Sequence, residues 1–200
     1  SAATDLLVND LQDMVADWEG GKDNYRKAFL ALEEKEALRR ILFGMGSLSL
    51  GELAGERINV ALLAHSQEDE HSCFSDNTHV DIAENARGIQ NIFKGTYKAS
   101  DGSVVKGASL AQLVAAKNGE LSKALIAKLA DSQAKAGAVV NAAEAGEHFD
   151  QQIVAGNAKG NARVKAVINA LRLQTGDIEA VSNALGINGL NPENSDSFGG

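Results

Sequence analysis

Apolar residues recur along this chain at helical spacing. Leu7, Leu11, Met14, Val15 and Trp18 stand three or four residues apart, which predicts an amphipathic helix over Ala3–Trp18 with Thr4 as its N-cap. Gly20 and Gly21 end it. The pattern resumes at Asp23 and runs through Tyr25, Phe29, Leu32, Leu38, Ile41 and Leu42, with Glu33, Glu34, Lys35 and Glu36 as a solvated face. Gly44-Met45-Gly46-Ser47 predicts an interruption, after which Leu48 opens a helix reaching about Ala64. Gly51 and Gly55, about one turn apart, predict the close approach of a neighbouring helix. Further helices are predicted over Asp81–Tyr97, from Ser109 as cap through Leu110, Leu113, Val114, Leu121, Leu125 and Leu129, and over Ala136–Ile153, Val164–Leu173 and Ile178–Leu185. Lys98–Gly107, with Asp101-Gly102, and Gly156–Gly160 read as loops.

No strand–helix alternation and no internal repeat interrupts this series. Long helices joined by short loops predict an all-α fold, an antiparallel four-helix bundle with extra short helices. The bundle is expected over residues 1–186 and a flexible polar tail over 187–200. Composition points the same way. Ala, Leu, Glu, Lys and Gln are abundant, aromatics make up only 4%, and the single Pro, Pro192, falls near the end.

Charge narrows the function classes. The net charge of −8 repels phosphate backbones, and no basic stripe with interleaved aromatics appears, so nucleic acid is not an expected partner. No apolar run approaches the roughly 20 residues of a membrane span. The chain opens SAATDLL, without Met and already in helical pattern, as a processed start would. Cys73 is the only cysteine, so no internal disulfide forms.

One stretch concentrates candidate chemistry. EDEHSCFSDNTH, Glu68 to His79, holds four acids and two histidines. If the helix from Leu48 continues to His71, Glu68 and His71 share a face at i, i+3, and Asp76 and His79 repeat that spacing beyond a short turn. Acid-x-x-His is how carboxylate bundles present an oxygen and an imidazole to one metal. Such donors, with Glu70 between them, suit iron, manganese or zinc. The competing structural reading makes Ser75 or Asp76 an N-cap and the segment merely the polar end of a hairpin. His65 lies three residues before Glu68 and reads as a boundary residue, and Cys73 as a small hydrophobe rather than a nucleophile. A second candidate, GEHFDQQI, places His148 and Gln151 at i, i+3, with Phe149 and Ile153 turned to the core.

The run GELAGERINVALLAHSQEDEHSCFSDNTHVDIAENARGIQNIFKGTY closely resembles the imelysin family, which includes iron-regulated protein A and insulin-cleaving proteins. The resemblance extends upstream through DMVADWEGGKDNYRKAF and downstream through GEHFDQQI and VINALRLQTGDIEAVSNALGI. It implies an all-α protein of two helical bundles, exported to the periplasm or anchored to a membrane there as a lipoprotein, and linked to iron uptake and regulation. The family is classed with metallopeptidases, and its assigned metal motif is GxHxxE. This sequence lacks that motif; in the nearest string, Gly146 to Gln151, glutamine replaces the glutamate. The resemblance therefore identifies the chain as a C-terminal imelysin half. Its expected metal-binding residues are Glu68, Glu70, His71, Asp76, His79 and His148, with iron or zinc as the metal. The expected partner is the N-terminal imelysin half or a periplasmic iron-uptake component. Binding, peptidase activity that needs both halves, and a docking scaffold are the three roles this leaves.

Overall fold

The computed structural model describes residues 1–192 and is built almost entirely of helix. The chain divides into two compact units, Ser1–Ile41 and Leu42–Gly200.

In the first unit α1 (Ala2–Trp18) confirms the predicted amphipathic helix, but its N-cap is Ser1 rather than Thr4. The stretch expected as one helix from Asp23 is two, α2 (Tyr25–Leu30) and α3 (Glu34–Ser47), and α3 continues into the second unit. The Asn24 side chain accepts from the Lys27 N–H and donates to Ala16 and Glu19 carbonyls, joining the end of α1 to the start of α2. Trp18, Tyr25 and Phe29 cluster above that joint, with the Trp18 and Tyr25 rings edge-on at 5.4 Å. Glu36 accepts from Arg39 and Arg40, and these two guanidinium groups hold its carboxyl at about 2. No residue of α1 is buried.

The second unit is a four-helix arrangement. A π-helix (Leu48–Asn59) prolonged by α4 (Val60–Ala64), α5 (Thr78–Lys94), α7 (Gly119–Glu144) and α9 (Ala158–Ala184) pack in a ring, with α6 (Leu110–Lys117) against α7 and the short α8 (Phe149–Ile153) against α9. Ser49 bonds Leu171 while Asn59 shares a groove with Asn161, so the π-helix and α9 run antiparallel. Arg57 bonds Asn85 between the π-helix and α5, and Lys128 pairs with Asp177 between α7 and α9. Leu53, Ile58, Ile82, Val139, Phe149, Ile153, Val164 and Leu171 are among the side chains that close the core between them.

Several expected boundaries move, each for a local reason. Gly44–Ser47 does not break the helix; the chain passes through and widens, with the Val60 N–H reaching five residues back to Gly55. Burial there recurs at Ser49, Leu53–Ala54 and Ile58, the four-to-five spacing of a wider turn. Gly51 and Gly55 admit no neighbouring helix: a Cβ on Gly51 meets nothing, and one on Gly55 meets only the Leu50 carbonyl of its own turn. The close approaches fall at Gly160, where a Cβ would lie 2.5 Å from the Gln152 carbonyl, and at Gly46, against Pro192. Asn118 separates α6 from α7 by capping the Leu121 N–H. The stretch expected as helix over Ala136–Ile153 stops at Glu144 and restarts as α8. Val164–Leu173 and Ile178–Leu185 fuse into one α9 because the buried stripe Val164, Val167, Ile168, Leu171, Ile178 and Val181 stays in phase across Gly176. The loop at Lys98–Gly107 carries a small antiparallel hairpin, β1 (Thr96–Lys98) and β2 (Val104–Lys106), in which Tyr97 faces Val105.

A buried polar bridge ties the π-helix to α9. Ser49 donates to the Leu171 carbonyl and accepts from Gln174 at 2.8 Å, with the Thr175 hydroxyl 3.0 Å away. Packing extends past the expected end of the bundle, since Ile187 and Pro192 are buried; the rest of the expected tail, 193–200, lies outside the described residues.

Candidate functional site

The helix from Leu48 does not reach His71. It ends at Ala64, where His65 adopts a left-handed conformation (φ 51°) and its Nδ1 meets the Ile153 carbonyl. From there the chain makes two 3₁₀ turns, Gln67–Asp69 and Cys73–Ser75, before α5 begins at Thr78. Glu68 and His71 therefore share no helix face. Glu68 is exposed on the first turn, and His71 lies 3.6 Å from Asp81 instead.

Asp81 organises this loop from the first turn of α5. Its carboxylate accepts a short bond from the Ser72 hydroxyl and a 3.0 Å bond from Asn77. Asn85 then bonds the Asp81 carbonyl and Arg57 bonds Asn85, so the loop is tied through α5 to the π-helix. Thr78, fully buried, accepts the Ser72 N–H, and its hydroxyl bonds the Glu70 carboxyl.

The loop is thereby folded over the N-terminus of α8, and a polar corner results. Asp76 Oδ2 lies 2.8 Å from His148 Nδ1, without the alignment of a hydrogen bond. The His148 and His79 rings stand edge-to-face with centroids 6.2 Å apart. Nδ1 of both histidines is shielded from solvent and has no hydrogen-bond partner among the described residues. Glu70 is buried, within electrostatic reach of Asp76 and Asp150. Burial pushes its carboxyl above the usual range, and the charges of Asp150 and Asp76 push it further; the Thr78 hydroxyl offsets part of this. The Cys73 thiol is also raised, first by burial and then by Glu68, Glu70, Asp150 and Asp76. That holds it in the poorly nucleophilic thiol form. Phe74, beside it, is wholly exposed at 102%.

His148 is fixed from behind. Gln151 reaches back to the His148 N–H, and Phe149 is completely buried. Gln152, also fully buried, donates to the Val139 and Glu147 carbonyls and accepts from Arg163. Glu147 in turn accepts from Asn157 and Arg163, which lower its carboxyl below the usual range, Asn157 foremost. Every polar atom of the Gln152 amide is thus satisfied, which makes α8 a rigid mount.

Of the six expected metal residues, the structure brings Glu70, Asp76, His79 and His148 to one corner. It leaves Glu68 and His71 outside that corner, on the surface. Asp81, Glu147 and Gln152 organise the corner and were not anticipated from sequence, whereas Asp150, which adds charge to it, stands in the GEHFDQQI candidate. The only signal for the first three was position: Asp81 two residues after His79, the others flanking His148. The donors present do not by themselves fit a metal, because no three His, Cys, Asp or Glu side chains among the described residues converge to hold an ion.

An all-helical bundle with an acid–histidine corner folded from two distant segments is the class that fold and geometry define. The sequence model of the imelysin family matches residues 1–178. The chain belongs to that family. Comparison with curated proteins finds no match. No helix among the described residues is long and apolar enough to cross a membrane.

Proposed function

We propose that the chain is the C-terminal helical half of a periplasmic imelysin linked to iron uptake and regulation. Its Glu70–Asp76–His79–His148 corner forms one side of a binding site for a metal or an iron-bearing ligand, and the partner half or an iron-uptake component supplies the other side. The observation carrying this reading is the shielded Nδ1 of His79, which has no hydrogen-bond partner among the described residues and stands beside the His148–Asp76 pair. Leaving such an atom unpaired costs about 1–3 kcal/mol, a cost that a ligand at the corner would remove. The complete exposure of Phe74, in the turn between Glu70 and Asp76, supports a partner surface, since aromatics of this kind anchor interfaces. The periplasmic and iron-linked parts of the reading rest on family membership.

Titration of the chain with Fe(II), Mn(II) and Zn(II) in the presence of the N-terminal imelysin half, followed by the histidine ring signals in NMR, tests the proposal. The His79 and His148 signals should shift or broaden together and return on chelation, while those of His65 and His71 stay in place. Equal perturbation of all four histidines, or none at His79 and His148, overturns it. A peptidase role is the second reading, favoured by a buried carboxyl of raised pKa beside two imidazoles. Peptide cleavage that is lost in Glu70→Gln would promote it above simple binding.

A further inference from the structure

We infer that the chain carries a second ligand site, a cationic groove between α4 and α9 that takes an elongated organic dianion with an apolar body. The groove has a volume of about 320 Å³ and lies apart from the acid–histidine corner. Its floor is apolar, made by Leu62 and Ile168, both buried, with Leu63 exposed on the rim. Lys165 and Arg172 are the only charged side chains lining it among the described residues, and both are exposed.

Two things set this groove apart from the surface around it. The chain carries a net charge of −8, yet no carboxylate of the described residues lines the groove. Two other basic side chains on or against α9 are matched, Arg163 by Glu147 and Lys128 by Asp177, while Lys159, also on α9, has no ion pair among the described residues. Lys165 and Arg172 have no ion-pair partner among the described residues. The second point is the opposite wall, which is irregular where a plain helix would suffice. The π-helix ends at Asn59, which lines the groove, and His65 at the other end of α4 holds a left-handed backbone. π-helical turns and strained non-glycine residues concentrate at functional positions.

The spacing sets the ligand's shape. Asn161, Lys165, Asn169 and Arg172 follow one another at intervals of four, four and three along one face of α9. Lys165 and Arg172 are two turns apart, roughly 10 Å along the helix. A single small anion engages one of them; a dicarboxylate with a flexible hydrocarbon middle engages both and lays its methylenes on Leu62 and Ile168. Asn59 and Asn169 also line the groove and supply amide groups to it. The groove holds only two cations within a strongly acidic chain, which disfavours an extended polyanion.

Suberate is a suitable probe, with octanoate and octane-1,8-diol as controls, in amide-resolved NMR titrations at low ionic strength. Saturable shifts should appear at Leu62–His65 and Asn161–Arg172. Octanoate should bind several-fold more weakly and the diol not measurably. Lys165→Ala and Arg172→Ala should each weaken suberate about tenfold, the scale of a lost charge-assisted bond. Thermal melts check that both variants remain folded. No saturable binding of suberate, equal binding of the diol, or unchanged affinity in the double variant overturns the site.

Discussion

The acid–histidine corner and the cationic groove are built by opposite means. The corner gathers charge: four ionisable side chains from the loop before α5, the first turn of α5 and the N-cap of α8 crowd together, and hydrogen bonds from Gln152, Thr78 and Asp81 hold them there. The groove spreads charge: two cations stand on one straight helix, exposed, and nothing else holds them. The corner is thus coupled to the core, and its chemistry should fail when packing fails. The groove's side chains project from a scaffold that stands without them. In this fold, chemically dense sites and stability are entangled, whereas dispersed sites are free of that constraint.

Phe149→Ala should break the comparison most forcefully. Removing a fully buried ring next to His148 costs about 3–5 kcal/mol in denaturant unfolding. It should also separate the His79 and His148 ring signals in NMR and weaken suberate less than either Lys165→Ala or Arg172→Ala does, although Leu62 and Ile168 of the groove floor belong to the same core as Phe149. Complete loss of suberate binding would show that the groove depends on that core as strongly as the corner does.

Glu70→Gln should have a smaller, pH-dependent effect. The folded chain holds the Glu70 proton more tightly than the unfolded chain, so this group's stabilisation is complete below the ordinary carboxylate range. It is lost as pH rises through the raised value. Glutamine keeps a partner for the Thr78 hydroxyl and removes the charge. The variant's melting temperature should therefore rise relative to the parent chain between about pH 4 and pH 8, with the two close together at the acid end. A difference that shrinks with rising pH would contradict the assigned direction.

Lys165→Ala and Arg172→Ala mark the lower end. Both side chains are exposed, and neither is paired among the described residues, so unfolding free energy should change by no more than about 0.5 kcal/mol. A larger loss would mean that these cations serve the bundle itself.

The same contrast governs how much could be read in advance. Helical class and bundle architecture follow from periodicity, because burial of a 3.6-residue stripe is what the chain's spacing encodes. The corner was legible as a cluster of residue types, and Asp76, His79 and His148 do meet there. Its construction was hidden. Glu68 and His71 pair only if the helix continues, and it stops at His65, with neither Gly nor Pro to announce the left-handed turn. Asp81 and Gln152 act through contacts that residue spacing does not carry. The widened turns over Leu48–Asn59 were equally invisible, since an apolar stripe at four-to-five spacing passes for an ordinary helix. The groove left no motif at all: its cations are single residues separated along α9.

Asn161 belongs to both regions. Its amide nitrogen donates to the carbonyls of Gln152 and Val154, while the residue also lines the groove. Gln152 lies in the same short helix whose start positions His148. A ligand that pulls on Asn161 therefore strains or relieves the mount of the histidine corner. By thermodynamic reciprocity, whatever occupancy of the groove does to affinity at the corner, occupancy of the corner must do equally to affinity at the groove. Asn161 is thus the residue through which any coupling between the two proposed sites would pass.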